Sequence, residues 1–220
     1  MTPDGNSPLG ILGGTFDPVH NAHLQLAAEA MGQLPLGGVL WIPAGRPSHR
    51  GVPVAEATHR LAMVRLATAG YPDYSVDTAE IASTEPSYTV PTLERLRAIH
   101  GARRPLVLLM GADAFLGLAS WHRWLELFDL AHLAVVSRPS FDLAAEHMPA
   151  ALAAEFGRRH RTDRQSLAMT SAGSLFTFTM DAGTLSSTAV RAALAAGEDA
   201  AELLPAPVVD YISAHRLYRP

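Results

Sequence analysis

The chain of 220 residues contains no cysteine, which excludes disulfide bonds and thiolate chemistry. It has no apolar run long enough to resemble a transmembrane helix, and its first residues lack a charged segment followed by an apolar one. We therefore expect a soluble, cytoplasmic protein. An excess of positive charge is also missing, because the formal net charge is −4. This balance argues against a nucleic-acid binder and leaves room for a local pocket that binds a small anion.

The chain shows no internal repeat and no low-complexity linker, so we expect a single domain over residues 1–220. A cluster of carboxylates suited to a metal cage is missing as well, so we expect no metal ligands from the protein itself. The least regular part is the segment from about 141 to 172. It contains the basic run 158–161, whose simplest interpretation is a solvated helix end.

Apolar runs typical of buried strands alternate with segments of helical spacing. The predicted strands are 9–12, 39–42, 75–77, 106–110, 133–136 and 175–180. The predicted helices include 57–68, 92–100, 188–196 and 206–215. Continuous apolar strands separated by helices favour an α/β fold, a Rossmann-like doubly wound parallel sheet with helices on both faces.

Helical spacing also predicts which residues each helix buries. After the first strand, one helix face is expected to contain Leu24, Ala27, Ala28 and Met31. The helix at 57–68 is expected to bury Leu61, Val64 and Ala67, and the helix at 92–100 to bury Leu93, Leu96 and Ile99.

Two glycines and two histidines lie between the first strand and the first helix. Gly13 and Gly14 follow the predicted strand, and His20 and His23 lie three residues apart near the start of the helix. Open α/β sheets bind phosphates at such strand-to-helix turns, where glycines let backbone N–H groups approach an anion closely. A Gly-Gly turn alone is weak support for a phosphate site, and two histidines near a helix start are more often structural or solvated. The combination over the twelve residues from Gly13 to Leu24 is far more specific.

A second motif, Leu185 to Arg191, lies near the other end of the chain. Its hydroxyl residues are suited to cap a helix, and Arg191 lies one turn further on, where it can pair with phosphate oxygens. Taken alone, this pattern is typical of helix capping with a surface arginine.

Together these two motifs resemble the nucleotidyltransferase family. Gly13 to His23 is similar to the family pattern Gly-Gly/Ser-x-Phe-Asp/Asn-Pro followed by His/Thr-x-Gly-His, with Ala22 in place of the glycine. Ser186 to Arg191 is similar to Ser-Ser/Ala-Thr-x-x-Arg, which grips the triphosphate of ATP. The resemblance implies catalytic roles for His20, His23 and Arg191. It implies ATP binding by Gly13, Gly14, Thr15, Phe16, His20, His23, Ser186, Ser187, Thr188 and Arg191.

Further segments narrow the resemblance to the nicotinate mononucleotide adenylyltransferases of bacterial NAD synthesis. The segment 43–50 is similar to Pro-x-x-x-Pro-Pro-His-Lys/Arg with Ser48 in place of a proline, and 87–93 to Ser-Tyr-Thr-x-x-Thr-Leu. Gly111 to Asp113 with the later Trp121 is similar to Gly-x-Asp…Trp, and 138–139 and 203–218 also match. The resemblance implies a mononucleotide site made by Asp17, His49, Arg50, Thr89, Val90, Asp113, Trp121 and His122.

The residues of this second site suit a pyridine acid. Trp121 offers a flat face to an electron-poor ring, although a core tryptophan is more common in general. Asp113 can accept ribose hydroxyls, or cap the helix that follows. The Thr89 hydroxyl and the N–H groups of Val90 and His122 are donors for a carboxylate; at His122 the family usually has another aromatic residue.

The implied reaction is adenylyl transfer from ATP to nicotinate mononucleotide, which gives nicotinate adenine dinucleotide and pyrophosphate. His20, His23 and Arg191 would neutralise charge on the phosphates together with Mg²⁺ that arrives with ATP. The nearest alternatives are nicotinamide mononucleotide as acceptor, or both mononucleotides. More distant ones are a phosphopantetheine acceptor, against which the segments of Thr89 and Trp121 argue, and a nucleotide-binding regulatory module without turnover. The expected partners are small molecules, and a homo-oligomer is left open.

Overall fold

The computed structural model describes residues 7–47, 51–137, 147–180 and 185–219. Its strands are β1 (Leu9–Gly14), β2 (Gly38–Pro43), β3 (Tyr74–Val76), β4 (Leu106–Gly111), β5 (His132–Ser137) and β6 (Leu175–Thr179). They form one sheet in the order β3-β2-β1-β4-β5-β6. β4 pairs in parallel with both β1 and β5, and β5 pairs in parallel with β6. This is the strand order of the Rossmann fold, and the predicted fold is confirmed.

Helices follow most of the strands. The α-helices in the described residues are α1 (Asn21–Gln33), α2 (Ala57–Thr68), α3 (Ala79–Ala82), α4 (Thr89–His100), α5 (Ala112–Leu116), α6 (Leu127–Leu130), α7 (Ala150–Arg159), α8 (Ser187–Ala195) and α9 (Ala206–Ala214). Short 3₁₀ helices span Leu118–Ser120, Trp124–Glu126 and Arg164–Met169. In the described part of the chain, no helix is both long enough and apolar enough to cross a membrane.

The central strands are buried along almost their whole length, as their apolar runs predict. Residues 106–110 of β4 and 132–136 of β5 are all buried. A strand flanked by parallel neighbours and covered on both faces buries every side chain, so its sequence does not alternate between apolar and polar residues.

Three predicted helix faces are partly wrong. Helix α1 buries Leu26, Ala27 and Ala30, whereas Ala28 is exposed. In α4, Ile99 is 62% exposed because it lies in the last turn of the helix. In α2, Leu61 is only half-buried, and the buried face begins at Arg60. The helical period is right in each case, but the face turned to the core depends on the neighbouring elements.

Contacts between residues group the chain into two compact units. The first unit comprises Met1–Gly13, Ala27–Leu40 and Tyr88–Asp181, and the second comprises Gly14–Leu26, Trp41–Ser87 and Ala182–Pro220. Each unit is described by itself below. The single domain expected from the sequence stays a prediction.

The basic run at the end of α7 is only partly a solvated helix end. Arg158 is mostly exposed and pairs with Glu155. Arg159 instead lies over the ring of Phe128, 4.4 Å from its centroid, and donates to the carbonyl of Gly173. The expectation of a purely solvated run is therefore wrong for Arg159, which packs within the first unit.

Candidate active site

The loop after β1 is buried in the second unit. Phe16 adopts a left-handed backbone conformation (φ +50°), and its ring contacts His23 edge to face at 5.0 Å and Trp41 at 5.5 Å. A Cβ added to Gly14 would lie 2.9 Å from atoms of the Phe16 ring. Glycine at position 14 therefore lets the Phe16 ring pack beneath the loop.

His20 and His23 form a stacked pair at the start of α1, with ring centroids 3.7 Å apart and planes 28° apart. The backbone N–H of His20 donates to Nδ1 of His23 at 3.2 Å. A ring nitrogen that accepts a hydrogen bond carries no proton, so the proton of neutral His23 resides on Nε2. His23 is therefore set up to donate from Nε2.

His20 is almost fully buried, and this burial lowers its pKa from 6.5 to about 4. Its ring is therefore neutral near pH 7 and can donate a hydrogen bond without adding positive charge. Within the described residues, its buried Nδ1 has no hydrogen-bond partner. Leaving such an atom unpaired costs about 1–3 kcal/mol.

The start of α8 lies against the loop that follows β1. Ser186 caps the helix by accepting from the N–H of Ala189 at 3.2 Å, as the capping interpretation predicts. The Ser187 hydroxyl donates to the carbonyl of Pro18 at 3.0 Å, although the two residues are 169 positions apart in the chain. The structure thus brings together the two motifs that the sequence analysis assigned to ATP.

Arg191 bridges the same loop and the first turn of α8. Its Nη1 donates to the backbone carbonyl of Asp17 at 2.7 Å, and its Nη2 donates to the Thr188 hydroxyl at 3.3 Å. The side chain is 28% exposed. The guanidinium is thus held in place at one edge and open to solvent elsewhere.

The Asp17 carboxylate is buried within the second unit. Its oxygens accept hydrogen bonds from the N–H groups of Val54 and Ala55 and from the Tyr218 hydroxyl. Because donors of the protein already engage both oxygens, the mononucleotide role of Asp17 stays a prediction to which this geometry adds nothing.

The sequence analysis missed Arg60, a buried cation that holds the loops around the site. Its guanidinium donates to the carbonyls of Thr15, Ala44, Gly45 and Ala55 at 2.6–3.2 Å. The sequence did contain a sign that Arg60 is buried, because it precedes Met63, Val64 and Ala67 with the spacing of one helix face. A charged residue on a buried face needs internal partners.

Several predicted mononucleotide residues come together in the first unit. Thr89 is the first residue of α4, and Val90 is fully buried behind it. The ring of Tyr88 lies 4.7 Å from that of His122, so the start of α4 meets the loop that carries Trp121 and His122. Trp121 is half-buried and His122 is exposed.

A salt bridge that the sequence analysis missed also joins these two segments. Arg123 pairs with Glu94 of α4 at 2.7 Å and with Glu126 at 2.6 Å. Asp113 lies exposed in the first turn of α5, whose N-cap is Gly111, so it is not the cap that the alternative interpretation expected.

The predicted residues His49 and Arg50, and the substituted position Ser48, lie outside the described residues. Within the described ranges, no group of three or more His, Cys, Asp or Glu residues is placed to hold a metal ion.

Comparisons with known proteins agree on one family. The cytidylyltransferase-like family model matches residues 11–193. A "probable nicotinate-nucleotide adenylyltransferase" of Dechloromonas aromatica (strain RCB) is 52% identical over 97% of this chain and 99% of its own length. A protein of the same name from Laribacter hongkongensis (strain HLHK9) is 45% identical over 96% of this chain and 94% of its own length.

Solved structures agree on the fold. The nicotinic acid mononucleotide adenylyltransferase of Plasmodium falciparum, complexed with NaAD, superposes with a TM-score of 0.72 at 16% identity, covering 96% of this chain and 97% of that one. The same enzyme complexed with APC superposes with a TM-score of 0.70 at 16% identity and also covers 96% of this chain and 97% of that one.

Proposed function

The chain belongs to the nicotinate-nucleotide adenylyltransferase family, and on that premise we propose that it transfers the adenylyl group of ATP to nicotinate mononucleotide. An oxygen of the mononucleotide 5′-phosphate forms a bond to the α-phosphorus of ATP. The bond from that phosphorus to the oxygen bridging to the β-phosphate breaks. Nicotinate adenine dinucleotide forms and pyrophosphate leaves. The attacking phosphate is already an anion, so the step needs no general base.

The observation that carries this proposal is the contact between the two motifs. Ser187 donates to Pro18, and Arg191 donates to Asp17, so α8 holds a cation against the loop that leads into the histidine pair, all within the second unit. A triphosphate needs such convergent donors, because its leaving group gains charge in the transition state.

On the ATP side we assign hydrogen bonds to the phosphates from His23 Nε2, from His20 and from the backbone of Gly13 to Phe16. Arg191 supplies positive charge, and we assign Ser186, Ser187 and Thr188, at the start of α8, to the same triphosphate. Burial lowers the pKa of His20 in the protein without ATP, so we assign it a hydrogen bond to the phosphates and assign the permanent positive charge to Arg191.

Mg²⁺ is the cation that we propose to accompany ATP. Bound to phosphate oxygens, it would neutralise charge on the leaving pyrophosphate. The described residues offer no cluster of carboxylates, so phosphate oxygens and water would supply most of its ligands.

On the acceptor side we assign Trp121 to stacking on the pyridine ring and Asp113 to the ribose. The acceptor carboxylate would face Thr89, Val90 and His122. Thr89 begins a helix of 12 residues, and the positive end of a helix dipole favours a carboxylate over a neutral carboxamide. His49 and Arg50 are proposed to hold the 5′-phosphate.

These substrates are small molecules, and we propose no nucleic-acid partner for a chain of net charge −4. A reaction that consumes ATP to make a dinucleotide fits the cytoplasm, which we propose as its location.

The test is to incubate the protein with ATP, Mg²⁺ and either mononucleotide, and to measure the dinucleotide by chromatography. We expect the acid to be used about 10–100-fold more efficiently than the amide, because a carboxamide turns its NH₂ toward a donor of the protein and leaves that donor unpaired.

Two variants test the acceptor site in the same assay. Trp121→Ala should raise KM for both acceptors, whereas Thr89→Val should mainly reduce the preference for the acid.

His23→Ala serves as the catalytic control in that assay. Removing a donor to developing charge typically lowers kcat by about 10²–10³. Equal kcat/KM for the two mononucleotides would contradict the proposed preference for the acid and identify an enzyme of dual specificity. ATP binding without any product would instead identify a regulatory module.

A further inference from the structure

The carboxylate of Asp17 is a hub of hydrogen bonds inside the second unit. Oδ1 accepts from the Tyr218 hydroxyl at 2.7 Å and from the N–H of Ala55 at 3.0 Å, and Oδ2 accepts from the N–H of Val54 at 2.8 Å. Only 5% of Asp17 is exposed. Several donors to one buried carboxylate hold both the side chain and the backbone that carries it.

That backbone determines where Arg191 lies. Arg191 Nη1 donates to the carbonyl oxygen of Asp17 at 2.7 Å and lies 3.8 Å from its Oδ2. An arginine side chain has many rotamers, and fixing one of them costs conformational entropy. Asp17 therefore selects the rotamer in which the guanidinium faces the loop after β1.

Tyr218 reaches Asp17 from the end of the chain. After α9 the chain turns twice through the left-handed region, at Arg216 (φ +53°) and at Tyr218 itself (φ +61°). Non-glycine residues adopt such conformations only where surrounding contacts compensate the strain. The strained turn thus ends with the Tyr218 hydroxyl on the Asp17 carboxylate, 201 positions earlier in the sequence.

The Tyr218 hydroxyl is a permanent donor. Burial raises the pKa of Tyr218 far above its usual value of 10, and the hydrogen bond to Asp17 raises it further. The hydroxyl therefore keeps its proton at neutral pH and can donate it to the Asp17 carboxylate.

We propose that Tyr218 is a positioning residue for the triphosphate site, whose hydroxyl holds Asp17 so that Asp17 holds Arg191 in place for ATP. This inference rests on the proposed function for the identity of the ligand. Tyr218 touches no substrate in this arrangement and acts only through Asp17 and Arg191.

The test compares Tyr218→Phe with Tyr211→Phe. Each variant removes one hydroxyl from the C-terminal part of the chain, and Tyr211 hydrogen bonds to His59 instead, at 3.0 Å. We expect Tyr218→Phe to raise the KM for ATP about ten-fold, since a hydrogen bond to a charged group is lost. The KM for the mononucleotide should stay unchanged, and Tyr211→Phe should leave both values at those of the parent.

A double-variant cycle with Arg191→Ala separates positioning from stability. If Tyr218 acts through Arg191, then adding Tyr218→Phe to Arg191→Ala causes no further loss in ATP use. Additive losses, equal losses for both substrates, or a Tyr218→Phe protein that does not fold would overturn the inference.

The two proposals fail in different ways. A parent protein that makes no dinucleotide overturns the proposed function, and ATP binding measured by calorimetry then provides the same comparison of Tyr218→Phe with its control. If the parent protein is active and Tyr218→Phe keeps the parent's KM for ATP, only the inference about Tyr218 is overturned.

Discussion

Gly13 and Gly14 are neighbours with opposite surroundings. A Cβ on Gly14 would meet the Phe16 ring at 2.9 Å, whereas a Cβ on Gly13 would have no atom within 4 Å. The first glycine therefore borders open space, and the second is required by packing. Sequence similarity to a phosphate-binding motif does not distinguish these two reasons for having glycine.

Alanine substitutions should separate the two roles. Gly14→Ala should lower the free energy of unfolding by about 1–3 kcal/mol, because the Phe16 ring must shift in a packed region. Gly13→Ala should leave thermal stability unchanged and raise the KM for ATP, because the added methyl group occupies the space proposed for a phosphate. Thermal unfolding and steady-state kinetics measure both effects. An unchanged KM in Gly13→Ala would remove Gly13 from the proposed ATP site.

At the scale of elements, helix α2 joins two loops through one buried side chain. Arg60 lies on its buried face and is only 1% exposed. Its four carbonyl partners belong to the loop after β1 and to the chain between β2 and α2. An arginine can do this because its planar guanidinium presents five donors in a fixed geometry.

Arg60→Met should therefore destabilise the protein by about 3–5 kcal/mol, because it leaves the buried carbonyls and the nearby Asp17 charge without their cation. Arg65→Met is the matched control, since Arg65 lies exposed on the same helix. Exposed substitutions of this kind usually change stability by about 0.5 kcal/mol or less. Urea unfolding of the two variants measures the contrast, and equal midpoints would contradict the role given to Arg60.

At the scale of the whole molecule, neutral histidines are buried in both units. His132 of the first unit is fully buried, donates from Nε2 to the carbonyl of Thr170 and accepts at Nδ1 from the N–H of Ser174. Burial lowers the pKa of His132, as it does for His20 in the second unit. Protonation would place a second N–H of His132 against the N–H of Ser174.

Stability should consequently fall in mild acid. The unfolded chain binds protons at these histidines near pH 6.5, while the folded chain does so only at lower pH, near 4 for His20. The stabilisation is complete above pH 6.5 and decreases as the pH falls, by up to about 1.4 kcal/mol per pH unit for each histidine. Urea unfolding between pH 8 and pH 5 measures the slope, which His132→Gln should reduce. A flat profile from pH 7 to pH 5 would refute this expectation.

The sequence by itself determined the strands, the fold class and the two motifs that we propose to bind phosphate. Buried parallel strands require continuous apolar runs, and these runs mark β1, β2, β4 and β5 to within two residues. Alternating residues mark β6, and the weaker pattern of the short β3 places it to within one residue. The motifs are local too, since a glycine turn before a helix needs only neighbouring residues. Family membership follows from the same motifs and is confirmed by the comparisons.

The tertiary structure alone decided where the buried face of each helix begins and which side chains distant in sequence meet. Helical spacing predicts a face but not its direction, so the buried position of Arg60 was missed and Leu61 was expected in its place. Asp17 looked like a ligand contact in the sequence, yet its carboxylate bonds to Tyr218, 201 positions away. Such a contact depends on how the chain returns through α9 and two strained residues. No local pattern specifies that path, because it results from packing between elements that are distant in sequence.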